Sequence, residues 1–147
     1  MIARYRGGSL TAVEVAPELA EAIGAVASGV PADLDGWDIT NALERIWTLV
    51  RRLNRYVEEQ RPWELAKDEA RADDLDRVLY GLADGLRAAA VALSAYLPET
   101  APKILEALRQ PGDLGWEEVA AGRARAVDGI EAAQPLFPRV EQAPAAA

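Results

Sequence analysis

The side chains that carry most enzyme chemistry are absent from this 147-residue chain or badly spaced for it. It has no histidine and no cysteine, which removes imidazole and thiolate ligands, disulfides and the commonest general base. Adjacent carboxylates occur at Asp73 and Asp74 and at Glu117 and Glu118. Neighbours on a helix diverge by about 100°, so neither pair converges on one metal or one reacting atom, and solvated or capping carboxylates are expected. There is no glycine-rich phosphate loop followed by Lys-Ser/Thr, and Arg6-Gly-Gly-Ser9 is too generic to count as one. No catalytic and no metal-binding residue is assigned. The residue types describe a binding module rather than a catalyst.

What could such a module bind? The formal net charge of −8 argues against a surface that is nucleic-acid-binding throughout, so any RNA contact must be local. One stretch reverses the sign: Arg45, Arg51, Arg52, Arg55 and Arg61 stand against only Glu58 and Glu59, a local charge of +3. Arg45, Arg52 and Arg55 should project away from the apolar stripe of their helix, either along an RNA backbone or as a solvated face paired with residues such as Glu59. Asn54 falls beside the stripe and is expected half-buried, holding a loop or facing a ligand. Trp47 lies at the stripe's edge, where core packing is expected. Trp63 follows Pro62 at a junction of two helices. It can pin those helices together or offer its indole face to an unstacked base, and physical reasoning leaves both open.

The elements that must position these residues are helical. Ala and Leu outnumber Val, Ile and Thr, and the length suits one domain, so the expected fold is all-α: a bundle of four to five helices with an extended C-terminal tail. A helix is expected over about Pro17 to Ser28, stopped by Gly29 and Pro31, and a second over about Asp38 to Gln60 with Ile39, Leu43, Ile46, Val50, Leu53 and Val57 as its buried stripe. After the Arg61-Pro62 corner, Trp63 to Ala70 reads as one or two helical turns. A long helix should then run from beyond Asp74 to near Pro98, with Leu75, Leu79, Leu82, Leu86, Leu93 and Leu97 on one face, and Gly81 and Gly85 should admit a close neighbour. Thr100 should cap a helix of about Pro102 to Arg109. Past Trp116 no periodicity is secure, Gln134 to Val140 reads as extended, and residues 142–147 as frayed. No stretch is apolar enough for a membrane span or a signal peptide, so a soluble, cytoplasmic protein is expected.

The runs Ala42-Leu-Glu-Arg-Ile-Trp47, Leu53-Asn-Arg-Tyr56, Pro62-Trp-Glu-Leu-Ala-Lys67, Val78-Leu-Tyr-Gly-Leu-Ala83 and Leu97-Pro98, with the tail Pro135-Leu-Phe-Pro-Arg139, together resemble the C-terminal anticodon-binding bundle of bacterial methionyl-tRNA synthetases. The resemblance covers residues 1–141 and is most specific between Asn54 and Lys67. It implies an anticodon-binding bundle with a cut-short first helix, whose partner is the tRNA(Met) anticodon stem-loop. Trp63 would stack on the anticodon, supported by Pro62 and Asn54, with Arg55, Arg61 and Arg52 as RNA-backbone contacts.

The family's other two readers, an Asn and an Arg four residues apart, would fall just before Met1. Its catalytic signatures need histidines, and its zinc knuckle needs cysteines, that this chain lacks. The resemblance therefore implies a C-terminal piece that would not aminoacylate alone, with no cofactor of its own. ATP and methionine would bind the missing catalytic domain, which is the second implied partner. Two alternatives stand beside this: a helical protein-interaction or structural module without tRNA binding, and the anticodon bundle of another class I synthetase. In the first, Phe137 either covers the bundle core or lies with the tail against the catalytic half.

Overall fold

The computed structural model describes residues 1–137, so the expectations for the Pro138–Val140 end of the tail and for residues 142–147 fall outside it. Three long helices make the frame: α2 (Pro17–Asp35), α3 (Ile39–Gln60) and α5 (Ala72–Leu93). Shorter pieces fill in around them: α1 (Ile2–Tyr5), α4 (Pro62–Leu65) and α6 (Ala101–Ala107), with 3-10 turns at Glu69–Arg71 and Trp116–Val119. Among the described residues there is no strand, only one isolated antiparallel bridge between Leu10 and Val127. The all-α bundle expected from composition is what forms.

α2, α3 and α5 pack on one another around Leu19, Ile23, Val26, Ile46, Leu49 and Val91, all buried. Gly81 and Gly85 permit this, as expected. A Cβ on Gly81 would sit 2.9 Å from Leu19, and one on Gly85 would run into the Leu53 side chain. The second half of α5 is buried on nearly every side from Ala88 to Leu93. Small alanines let helices, turns and loop approach its backbone from several directions at once.

α2 does not stop where its sequence suggested. It runs on through Gly29 and Pro31 to Asp35. Proline has no N–H to give to the carbonyl four residues back, here that of Ala27, and an orphaned carbonyl is the usual reason a helix avoids it. The indole Nε1 of Trp116 donates to that carbonyl at 3.1 Å. Gly29 is not a stop either: its missing side chain leaves room for Arg45, whose Cδ would lie 2.8 Å from a Cβ there. Arg45 reaches across to Asp33, which also accepts from Asn41 Nδ2 at 2.9 Å. The Asp33 carboxyl is held below the usual carboxylate range, first by that hydrogen bond from Arg45. Asp38 then caps α3, accepting from the Asn41 N–H at 2.9 Å.

The segment after α6 has no long helix, yet it is fixed in place. Asp84 and Arg87, on α5, are 0% and 3% exposed and paired at 2.9 Å. The Asp84 carboxylate accepts backbone N–H bonds from Gly122 (2.6 Å), Arg123 (3.1 Å) and Ala124 (2.8 Å). Arg87 donates to the carbonyls of Glu118 and Ala120. Gln110 adds a reciprocal pair with the Arg125 backbone, and Tyr80 donates to the Ala124 carbonyl at 2.9 Å. Every polar atom of this buried cluster finds a partner, which is the condition for charges to sit in a core. Thr100 precedes α6 as expected but makes no side-chain cap bond.

Candidate nucleic-acid interface

The corner between α3 and α4 is built by one residue pair. The ring of Pro62 disfavours the right-handed helical conformation for the residue before it, and here α3 ends before Arg61. Arg61 instead turns left-handed, with φ 47° and ψ 62°. Its N–H still donates to Val57 O at 3.0 Å and closes α3, while its carbonyl accepts from Glu64 N at 2.8 Å and opens α4. Pro62 takes the first helical position, where no N–H is needed. A side chain bearing a Cβ in this region costs of order 1–3 kcal/mol, a strain that typically persists where surrounding structure enforces it and a site uses it.

α4 then presents two faces. Pro62 and Leu65, three residues apart, are buried in the bundle. Trp63, between them, is 37% exposed, and Lys67 holds Glu64 at 2.9 Å alongside. The corner thus anchors itself through Pro62 and Leu65 and leaves an indole partly open.

The register of α3 decides which of its side chains join that surface. Its buried residues are Ala42, Ile46, Leu49, Leu53 and Tyr56, not the full stripe expected. Ile39 is exposed, while Leu43, Val50 and Val57 are half-buried. At 100° per residue the buried face is turned by about 60° from the expected one. The cause is that α3 packs against both α2 and α5, and the small Ala42 and the ring of Tyr56 fill the seam there. Burial raises the Tyr56 hydroxyl above its ordinary pKa, with the negative charge of Glu18 adding to the effect.

That rotation corrects several expectations together. Asn54 is exposed rather than half-buried, and Trp47 is 46% exposed rather than packed in the core. Arg45 and Arg52 flank the core instead of facing away from it. Arg45 is tied to Asp33. Arg52 bonds Glu59 at 2.9 Å, lies 3.8 Å from Glu18, and sits over the Tyr56 ring at 5.5 Å. Arg55 and Arg61 are both exposed and form no ion pair among the described residues. Trp63, Arg61, Arg55 and Asn54 are therefore the accessible members of the set drawn from the sequence, Pro62 is its buried anchor, and Arg52 is engaged elsewhere.

One further exposed aromatic was not expected. Trp37 is 88% exposed at φ 61°, in the turn between α2 and α3. It lies at the far end of α3 from the corner, between Asp35 and Asp38. Phe137 is 71% exposed and does not cover the core. No cluster of side chains suited to a metal ion occurs among the described residues, and no described helix is long and apolar enough to cross a membrane.

A left-handed Arg-Pro corner carrying a partly exposed tryptophan, on an all-α bundle, defines the architecture of a helical domain. Comparison with known proteins gives the family. Over 146 residues, 96% of its length, the chain is 36% identical to the methionine–tRNA ligase of Caldanaerobacter subterraneus subsp. tengcongensis. The corresponding enzymes of Clostridium acetobutylicum and Deinococcus radiodurans are 35% and 37% identical over the same share. The apo Mycobacterium tuberculosis methionyl-tRNA synthetase superposes with a TM-score of 0.80 at 29% identity, over 97% of this chain and 30% of that one. No protein-family model matches. The chain belongs to the methionyl-tRNA synthetase family and corresponds to its C-terminal helical domain. It spans only 21–23% of the length of these three ligases.

Proposed function

We propose that this chain binds the anticodon stem-loop of tRNA(Met), with the Trp63 indole stacked on an anticodon base, Pro62 and Asn54 supporting that site, and Arg55 and Arg61 neutralising nearby phosphates. The observation that carries the reading is the placement of Trp63: a partly exposed indole on a strained, proline-locked corner, two residues after Arg61 and following the helix that carries Arg55, neither arginine having a carboxylate partner among the described residues. Stacking of one base on an aromatic ring is worth about 1–3 kcal/mol. Two unpaired arginines add an electrostatic contribution that weakens with salt. Arg52, held by Glu59 and Tyr56, contributes less. Within a complete ligase this contact would support recognition of tRNA(Met) for aminoacylation in the cytoplasm, with ATP and methionine bound by the catalytic part and no cofactor bound here.

The test is a low-salt titration of the purified chain with an initiator-tRNA anticodon stem-loop and with the same stem-loop carrying a leucine, valine or cysteine anticodon. Preference for the methionine anticodon is expected. Equal binding to all four would overturn the tRNA(Met) assignment, and preference for another would assign the domain to that specificity. Arg55→Ala should weaken binding to every stem-loop alike and lower the salt slope by about one.

One further observation favours a second contact. Met1, Ile2, Leu79, Leu82, Leu86, Ile104 and Leu136 line an open, mostly apolar recess between α1, α5, α6 and the tail. Leu86 and Leu136 are exposed there. We infer that the catalytic part of a methionine–tRNA ligase packs on this recess. A separately supplied catalytic domain should bind the parent chain and lose affinity for the Leu86→Glu variant. Equal affinity for both would sink that contact.

A further inference from the structure

The solvent-facing pole of α3 carries a tryptophan that is only partly covered by the fold. Taking Ala42, Ile46, Leu49, Leu53 and Tyr56 as the buried face, Trp47 lies about 140° around the helix from its centre. Its indole is 46% exposed, and no hydrogen bond to its Nε1 occurs among the described residues. Close to half of this large aromatic is therefore open to solvent.

Its neighbours on the same face point to a ligand. Asn54 lies two turns on, within about 20° of Trp47, and Arg51 and Arg55 lie about 40° and 80° from it. Arg51 neutralises Glu44, the carboxylate nearest Trp47 on this face. Arg55 has no ion pair among the described residues, and of the two acidic residues between Asn54 and the corner Glu59 is paired with Arg52 while Glu58 is in no ion pair among the described residues. In chain order from Trp47 to Trp63 the exposed residues of this face are an aromatic, a cation paired with Glu44, an amide, the unpaired cation Arg55, the carboxylate Glu58, the unpaired cation Arg61 and a second aromatic. In a chain of net charge −8 that order suits a single-stranded polyanion with unstacked bases better than an acidic or apolar protein surface.

We propose that Trp47 is a second stacking platform, which takes another base of the same RNA strand whose anticodon base stacks on Trp63. This inference rests on the tRNA-binding reading of the corner. The fourteen residue steps from Trp47 to Arg61 span about 21 Å along the helix. At about 3.4 Å per nucleotide of stacked strand that is roughly six nucleotides, and fewer for a splayed loop, so one anticodon loop is long enough to run from Trp47 to the corner. Arg55 and Arg61 lie between the platforms, where the connecting phosphates would pass.

The experiment titrates the full chain, and the variants Trp47→Ala, Trp47→Phe, Trp47→Leu and Trp63→Ala, with the methionine anticodon stem-loop at low salt. Helical content and melting temperature are recorded for each. Trp47→Ala should weaken binding about 5- to 100-fold, Trp47→Phe should restore most of the loss, and Trp47→Leu should not. Abasic stem-loops should separate the platforms: one loop position abolishes the effect of Trp47→Ala, and a different one abolishes that of Trp63→Ala. If Trp47→Ala binds as the parent does while Trp63→Ala is weakened, the second platform is overturned and the corner stands. If Trp47→Leu binds as well as Trp47→Phe, the ring packs rather than stacks, and the proposal fails. If neither alanine variant is weakened, both this inference and the stacking role of Trp63 fall.

Discussion

Two regions of this domain gather charged and polar groups, and they treat them in opposite ways. Around Asp84 and Arg87 every donor and acceptor is spent inside the molecule: one carboxylate holds three backbone N–H groups and a guanidinium, and that guanidinium holds two carbonyls. Along the outer face of α3 and its corner, Asn54, Arg55 and Arg61 are exposed and outside any ion pair among the described residues, beside two half-open indoles. A group already satisfied internally has little left to offer a ligand. A group left in water can exchange that water for an RNA phosphate or base. Density of charge therefore does not mark a binding site; unspent charge does.

The comparison breaks most sharply at Asp84. Asp84→Ala leaves the Arg87 guanidinium buried without its anion and three backbone N–H groups without an acceptor, and removing one partner of a buried pair costs about 3–5 kcal/mol. For a domain of this length that corresponds to a fall in melting temperature of roughly 6–20 °C. Thermal denaturation followed by circular dichroism checks it. A change within a degree or two would mean that the strap after α6 does not depend on this pair.

Next comes the packing that sets the register of α3. Gly85→Ala forces a methyl group against Leu53, and overpacking of this kind costs about 1–3 kcal/mol. Since Leu53 lies on α3, the same variant tests whether the close approach fixes that helix's rotation. A larger residue at Gly85 should alter the exposure of Trp47, read by residue-resolved oxidative footprinting.

The smallest effect belongs to the α2–α3 link. Asp33 has its carboxyl held below the ordinary value of 3.8 by Arg45. A carboxyl lowered in the folded state adds stability above its unfolded pKa and loses it as pH falls through the folded one. Asp33→Asn should therefore melt slightly below the parent at pH 7, and the gap should close below the ordinary aspartate value. A gap independent of pH would place the loss in packing rather than charge.

How much of this was legible beforehand follows from where each determinant lies in the chain. The corner was readable because its cause is local: Pro62 acts on the residue directly before it. The extent of α2 was not. At Pro31 the Ala27 carbonyl takes its donor from Trp116, a contact no local pattern announces. The rotation of α3 escaped for a related reason, since a stripe drawn through Ile, Leu and Val passes over Ala42 and Tyr56, which two flanking helices bury. Asp84 and Arg87, three residues apart on a helix, look in sequence like a surface ion pair. Only the strap laid over them makes them core. The exposure of Trp47 and Asn54 then followed from the rotation and was hidden with it.

The central claim is that the corner's tryptophan is held open for a ligand and does not pin the helices together. It is tested most directly by the affinity of Trp63→Ala for the methionine anticodon stem-loop, measured at low salt on protein whose melting temperature matches the parent's. The account predicts binding weakened about 5- to 100-fold, the equivalent of one lost stacking platform. Unchanged affinity would contradict it.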